Sequence, residues 1–180
     1  MTLDINRLET SFAQIKPHAN KFSDDFYKNL FIKYPELEIL FQKTSLENQE
    51  KKLIASLALI IENLHNPNQL SLALKSLGAY HVGTGTLTEH YPFVGQALLE
   101  TLALYLAESW TSEMEQAWLN AYTFISEVML EGAENPQQYL GGELTFYEWL
   151  DLYGESSPSL RDMVADVTNF KYGKQSKGDV

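Results

Sequence analysis

An all-α fold of six to eight helices, followed by a C-terminal extension, is what this sequence predicts. Apolar residues recur three and four positions apart almost throughout the first 134 residues, which is the period of a helix face. No alternating apolar–polar run of the kind that marks a half-buried strand precedes residue 135. Prolines, glycines and capping side chains interrupt the apolar runs where helices should begin and end. We therefore expect one helical domain over residues 1–134 and an extension, partly folded or linker-like, over residues 135–180.

Leu3, Ile5, Leu8, Phe12 and Ile15 mark a first amphipathic helix, ended by Pro17. Phe22, Phe26, Leu30, Phe31 and Tyr34 line a second. Pro35 suits the first turn of a short third helix over residues 35–41, where its missing N–H is no loss. Residues 42–48 are polar and read as a loop. Leu53, Leu57, Ile60, Ile61 and Leu64 line the next helix, which His65-Asn66-Pro67-Asn68 breaks. Leu70, Leu72, Leu74 and Leu77 continue on a new one, and Gly83-Thr84-Gly85-Thr86 form a turn after it. Pro92 opens a long helix carrying Val94, Leu98, Leu99, Leu102, Tyr105 and Leu106. The last strong helix starts at Ser112, whose spacing to Glu115 fits a capping box. It carries Trp118, Tyr122, Ile125 and Met129, and Gly132 with Pro136 ends it. Short helices are expected over 146–153 and 160–170, and no internal repeat is present.

Composition narrows the function. With 44% hydrophobic and 12% aromatic residues in 180, the chain can bury a sizeable core. A net charge of −11 argues against nucleic acid or an anionic membrane as partner, since both would repel it. The lack of cysteine removes disulfides, thiolate metal sites, cysteine nucleophiles, iron–sulfur clusters and thioether-attached haem or bilin. MTLDINRLET has no apolar signal core, and no apolar run approaches the ~20 residues of a membrane span, so a cytoplasmic protein is expected. There is no nucleophile motif, and no two of His18, His65, His81 and His90 stand at metal-binding spacing.

His81 closes the apolar run 70–80, with Gln49 and Leu53 32 and 28 positions before it and Tyr91 ten after it. One imidazole facing a Tyr/Gln pair across apolar walls is the set a haem pocket needs, with hydrogen bonds holding a ligand on the sixth face of the iron. FYKNLFIKYPELEILF at 26–41, HYPFVGQALLETL at 90–102 and AWLNAY at 117–122 resemble the corresponding stretches of bacterial single-domain haemoglobins and of the globin domain of flavohaemoglobins. The interval from Gln49 to His81 equals the family's distal-to-proximal spacing. The resemblance spans roughly residues 5–133, and the tail has no counterpart in it.

The resemblance implies a globin fold holding haem b non-covalently, with His81 as the proximal iron ligand. A backbone carbonyl one turn back, that of Leu77, would hold its other ring nitrogen. Tyr27 matches the family's distal tyrosine and Gln49 its distal glutamine, both hydrogen-bond donors toward bound dioxygen. Phe41 matches the aromatic packed on the porphyrin edge, Leu53 the wall above the iron and Val94 the wall beneath it. Lys52 would meet a haem propionate. Tyr91 stands where flavohaemoglobins place a tyrosine in a network with the proximal histidine and a glutamate. The glutamate position falls on Ala133, between Glu131 and Glu134, so this chain departs from the pattern at the group that would favour O–O activation.

Two functions follow from the resemblance. One is reversible binding or transport of dioxygen, with NO and CO as further ligands and nitric oxide dioxygenation if an external reductase supplies electrons. The other is a gas sensor whose extension signals to an output domain or partner; the extension could equally be a docking segment folded back on the globin, with Tyr139, Phe146, Trp149 and Tyr153 as anchors. A haem-free globin fold is a third class, but it gives no reason to combine His81, Tyr27 and Gln49. A monomer or homodimer is expected.

Overall fold

The computed structural model describes residues 3–140, and every element among them is helical. The all-α reading therefore holds. The expected helices over 146–153 and 160–170 lie outside the described residues.

Helix α1 (Ile5–Ile15) begins where the Asp4 carboxylate accepts the Arg7 amide at 3.1 Å, satisfying a donor that the first helical turn leaves free. Pro17 ends it as expected, but within a tight 3-10 turn, Lys16–His18, that leads straight into α2 (Ala19–Lys33). Pro35 opens a segment that winds as a 3-10 helix, Pro35–Phe41. Helix α3 (Leu46–Glu62) starts inside the stretch read as loop: the Ser45 hydroxyl accepts the Asn48 amide at 3.3 Å, so residues 46–48 are already helical. Pro67 occupies the first turn of α4 (Pro67–Gly83), and α5 (His90–Leu106) carries Pro92 in its own.

Helix α6 (Ser112–Glu134) differs from expectation at both ends. Its cap is Thr111 rather than Ser112, with the Thr111 hydroxyl accepting the Met114 amide at 3.3 Å. Gly132 does not terminate it. This glycine is buried in the helix, which runs two residues further before Pro136 opens the short α7 (Pro136–Leu140). Sequence reasoning took the glycine for a stop signal, whereas the close approach of α4 is what requires it.

The core forms where the apolar faces meet. Trp118, Phe12, Phe22 and Phe26 are fully buried in it. Trp118 Nε1 donates to Ser11 Oγ at 3.0 Å, giving the buried indole an acceptor and joining α6 to α1. Tyr34 stacks on Phe93 with centroids 4.4 Å apart, while Asn29 and Lys33 reach Glu100, fastening α2 to α5. Helix α4 packs on α6 and also meets α7. Lys75 Nζ sits 2.8 Å from Glu131 Oε2 of α6 and 5.9 Å from the Tyr139 ring of α7.

Candidate functional site

The residues singled out from the sequence fall into two groups, with apolar walls between neighbouring elements. The first gathers on α2, the Pro35–Phe41 segment and α3. Tyr27 is buried and its ring meets Phe41 at 5.4 Å, Phe26 at 4.9 Å and Phe31 at 5.8 Å, with Phe31 and Phe41 themselves 5.3 Å apart. Such contacts add about 0.5–1.5 kcal/mol per ring pair beyond area burial, so the Tyr27 ring is held stiffly. Its hydroxyl donates to the Gln49 backbone carbonyl at 3.3 Å. The Gln49 amide does not meet Tyr27; Nε2 donates instead to Thr44 Oγ1 at 2.8 Å. Tyrosine and glutamine are thus neighbours, joined through main chain.

The second group is built on α4 and α5. His81 Nδ1 lies 2.8 Å from the Leu77 carbonyl, one turn earlier on the same helix. A carbonyl can only accept, so the ring proton sits on Nδ1 and Nε2 carries the lone pair. Burial holds the imidazole pKa below its ordinary value of 6.5, with the Leu77 bond opposing that in smaller measure. The turn behind it closes on the His81 carbonyl, which accepts the Thr84 amide (3.1 Å), Thr84 Oγ1 (2.8 Å) and the Thr86 amide (3.0 Å). Gly85, at φ 87°, gives the left-handed step this reversal needs, and a Cβ there would lie 3.7 Å from Leu40, next to Phe41.

Tyr91 places its ring 6.4 Å from that of His81. Its hydroxyl is buried with no hydrogen-bond partner among the described residues, and burial raises its pKa. Glu131 is engaged by Lys75, Ala133 is half-buried and Glu134 exposed, so none of these puts a carboxylate on Tyr91. Tyr122 donates its own hydroxyl to the Tyr91 backbone carbonyl at 2.6 Å, which anchors α5 to α6 just below the ring.

Leu53 and Val94 are half-buried against the core, as are Phe41 and Leu40. Lys52 is half-buried too, and desolvation lowers its pKa, the condition under which an ammonium gains most from a carboxylate partner. A neutral imidazole with a free nitrogen, with the Tyr80 and Tyr91 rings 6.3 and 6.4 Å away, is a donor that fits haem. Among the described residues no three His, Cys, Asp or Glu side chains gather as a metal site. A groove of about 620 Å³ between α5 and α6 touches Tyr91 but no other predicted site residue.

Three contributors were not singled out from the sequence. Phe31, one turn after Tyr27, was visible as helical spacing. Tyr122 was assigned to the helix core alone, and nothing in the sequence points to Thr44.

Comparison with known proteins agrees with the helical fold. The Globin family profile matches residues 24–129. The flavohemoprotein of Rhizobium meliloti is 31% identical over 114 residues, 62% of this chain and 28% of its own length. That of Vibrio cholerae is 29% identical over 144 residues, 77% of this chain and 36% of its own. The chain thus spans about a third of the length of these relatives. Among solved structures, a bacterial globin from Campylobacter jejuni superposes with a TM-score of 0.64 at 23% identity, over 74% of this chain and 96% of that one. An engineered carbene transferase of Rhodothermus marinus, a provisionally assigned nitric oxide dioxygenase, gives 0.68 at 26% identity over 78% and 100%. No helix among the described residues is long and apolar enough to cross a membrane.

Proposed function

This chain belongs to the globin family, and from that premise we propose that it holds haem b without a covalent bond, takes His81 Nε2 as the iron's protein ligand, and binds dioxygen, NO and CO reversibly. The observation that carries this reading is the 2.8 Å bond from His81 Nδ1 to the Leu77 carbonyl, which leaves Nε2 as the free donor of a neutral ring. Haem, when bound, supplies an iron with a face open to a diatomic gas.

The chain's own residues do the rest. Leu77 fixes the imidazole's tautomer and rotation. Phe41, Leu53 and Val94 offer apolar surface to the porphyrin and keep water out. Lys52 offers a cation to a propionate. Tyr27 and Gln49 each have a donor to turn toward a ligand, Tyr27 leaving the Gln49 carbonyl and Gln49 leaving Thr44. Each exchange trades one hydrogen bond for another with more charge on the acceptor, so the net gain favours the ligated form.

Nitric oxide dioxygenation extends this reading: nitric oxide and dioxygen combine to nitrate with one electron consumed per turnover, so the reaction needs an electron donor. The Tyr91 hydroxyl, unpartnered among the described residues, and the engagement of Glu131 elsewhere weigh against peroxidase-like cleavage, which a carboxylate behind the histidine would assist. A second reading, gas sensing with a signalling extension, draws on one contact, the seating of Tyr139 of α7 against Lys75 of the His81 helix.

The test is the absorption spectrum of the purified protein when oxidised, dithionite-reduced, and reduced under carbon monoxide. A Soret band that shifts on reduction and sharpens with carbon monoxide is expected. Absence of any Soret band after hemin addition would sink the haem reading.

A further inference from the structure

Where α4 crosses α6, the two helices meet backbone to backbone. A Cβ built on Gly78 would lie 1.8 Å from the Met129 carbonyl oxygen, and one on Gly132 would lie 2.0 Å from the Lys75 carbonyl oxygen. Real Cβ atoms essentially never come within 3.0 Å of such an atom. In both cases the obstacle is the main chain of the opposite helix, which cannot rotate aside as a side-chain tip can. Accommodating even one methyl group would part the helices by roughly an ångström. Glycine in the middle of a helix is less stable there than alanine. Two of them, both buried and each facing the main chain of the opposite helix, mark a contact the fold needs close.

This crossing lies beneath the turn that holds the imidazole. Lys75, Leu77, Gly78 and His81 fall within two turns of α4, and Gly78 directly follows the residue whose carbonyl takes the His81 Nδ1 proton. The Lys75–Glu131 ion pair clamps the same flank. Among the described residues no side chain hydrogen-bonds the Tyr91 hydroxyl to brace the histidine side. Resting on the reading of His81 as the iron ligand, we propose that Gly78 and Gly132 are positioning residues: the side-chain-free crossing of α4 on α6 sets how far the His81 turn stands from the pocket and at what tilt. Close-packed interiors transmit such a displacement rather than absorb it. A methyl group on α6, far along the chain from the histidine, then reaches the iron–histidine bond through α4.

The experiment is resonance Raman spectroscopy of the ferrous holoprotein just after photolysis of its carbon monoxide complex, reading the iron–histidine stretching band. Gly132→Ala is expected to displace that band and to speed haem transfer to an acceptor apoprotein about tenfold. Trp118→Phe, which removes the buried bond to Ser11 on the far side of α6, should lower stability yet leave the band at its wild-type frequency. An unmoved band in Gly132→Ala, or an equal displacement in Trp118→Phe, overturns the proposal. Should Gly132→Ala fail to fold, Lys75→Met carries the test, since it releases the clamp without adding an atom to the crossing. A broader band is then expected, and unchanged position and width overturn the idea. A wild-type protein lacking an iron–histidine band refutes the His81 reading itself, whereas a wild-type band with unmoved variants refutes the glycine inference alone.

Discussion

Replacing Tyr27 by phenylalanine removes one oxygen and leaves the ring cluster with Phe26, Phe31 and Phe41 in place. Two hydrogen bonds are at stake, in different states of the protein. With gas bound, the proposed O–H bond to a partly charged ligand contributes about 1.5–3 kcal/mol, so dioxygen should leave roughly 10 to 150 times faster from the variant. In the resting state the hydroxyl is held by the Gln49 carbonyl at 3.3 Å. A bond that long belongs at the low end of neutral pairs, about 0.5 kcal/mol. Its loss should therefore raise the association rate only about twofold, if the bond opens before the ligand enters. Affinity then falls by less than the dissociation rate rises. Stopped-flow displacement of dioxygen by carbon monoxide gives the first rate, and flash photolysis the second. Thermal unfolding should move little. An unchanged dissociation rate removes Tyr27 from the ligand site. A faster dissociation with unchanged association shows instead that the Gln49 bond does not gate access.

Other changes separate site from scaffold. His81→Ala should abolish tight haem binding, seen as loss of the Soret band on gel filtration, while far-ultraviolet circular dichroism stays helical. Ser11→Ala strands the Trp118 N–H in a fully buried place, so urea unfolding should show a loss of about 1–3 kcal/mol. Adding Trp118→Phe should cost less than the sum of the single changes. Hydrogen bonds from Lys21 and then Tyr105 hold the Asp25 carboxyl below its ordinary value of 3.8. A depressed carboxylate stabilises the fold above its unfolded pKa and loses that contribution as pH falls through the folded one. Tyr105→Phe should thus be less stable than wild type at neutral pH, and the gap should narrow once pH drops below 3.8. Ending the chain after Asn135 removes α7 and its contact with Lys75. The Soret spectrum should survive, and slower or faster gas kinetics would point to the sensor reading.

Local chemistry written into the sequence determined most of the helices, because periodic apolar residues, Pro35, Pro67 and Pro92 act over a few residues and need no partner to be interpreted. The same holds for the Leu77–His81 bond, which one helical turn dictates. The family resemblance pointed to Tyr27, Phe41 and Gln49 as one set, and the fold brings them together. What neighbouring sequence could not decide was orientation. That the Gln49 amide turns to Thr44, and that Tyr27 meets a carbonyl instead, depends on where α2 and α3 come to rest. Gly132 shows the limit most clearly. On its own helix it reads as a stop, and only the backbone of α4, more than 50 residues away in the chain, makes it a point of contact. Tyr91 is the same lesson in polarity: its hydroxyl is left unpartnered by what α6 does and does not bring near it. Helix propensity acts along the chain, whereas close packing and hydrogen-bond satisfaction act across it, so these choices were made only when the helices met.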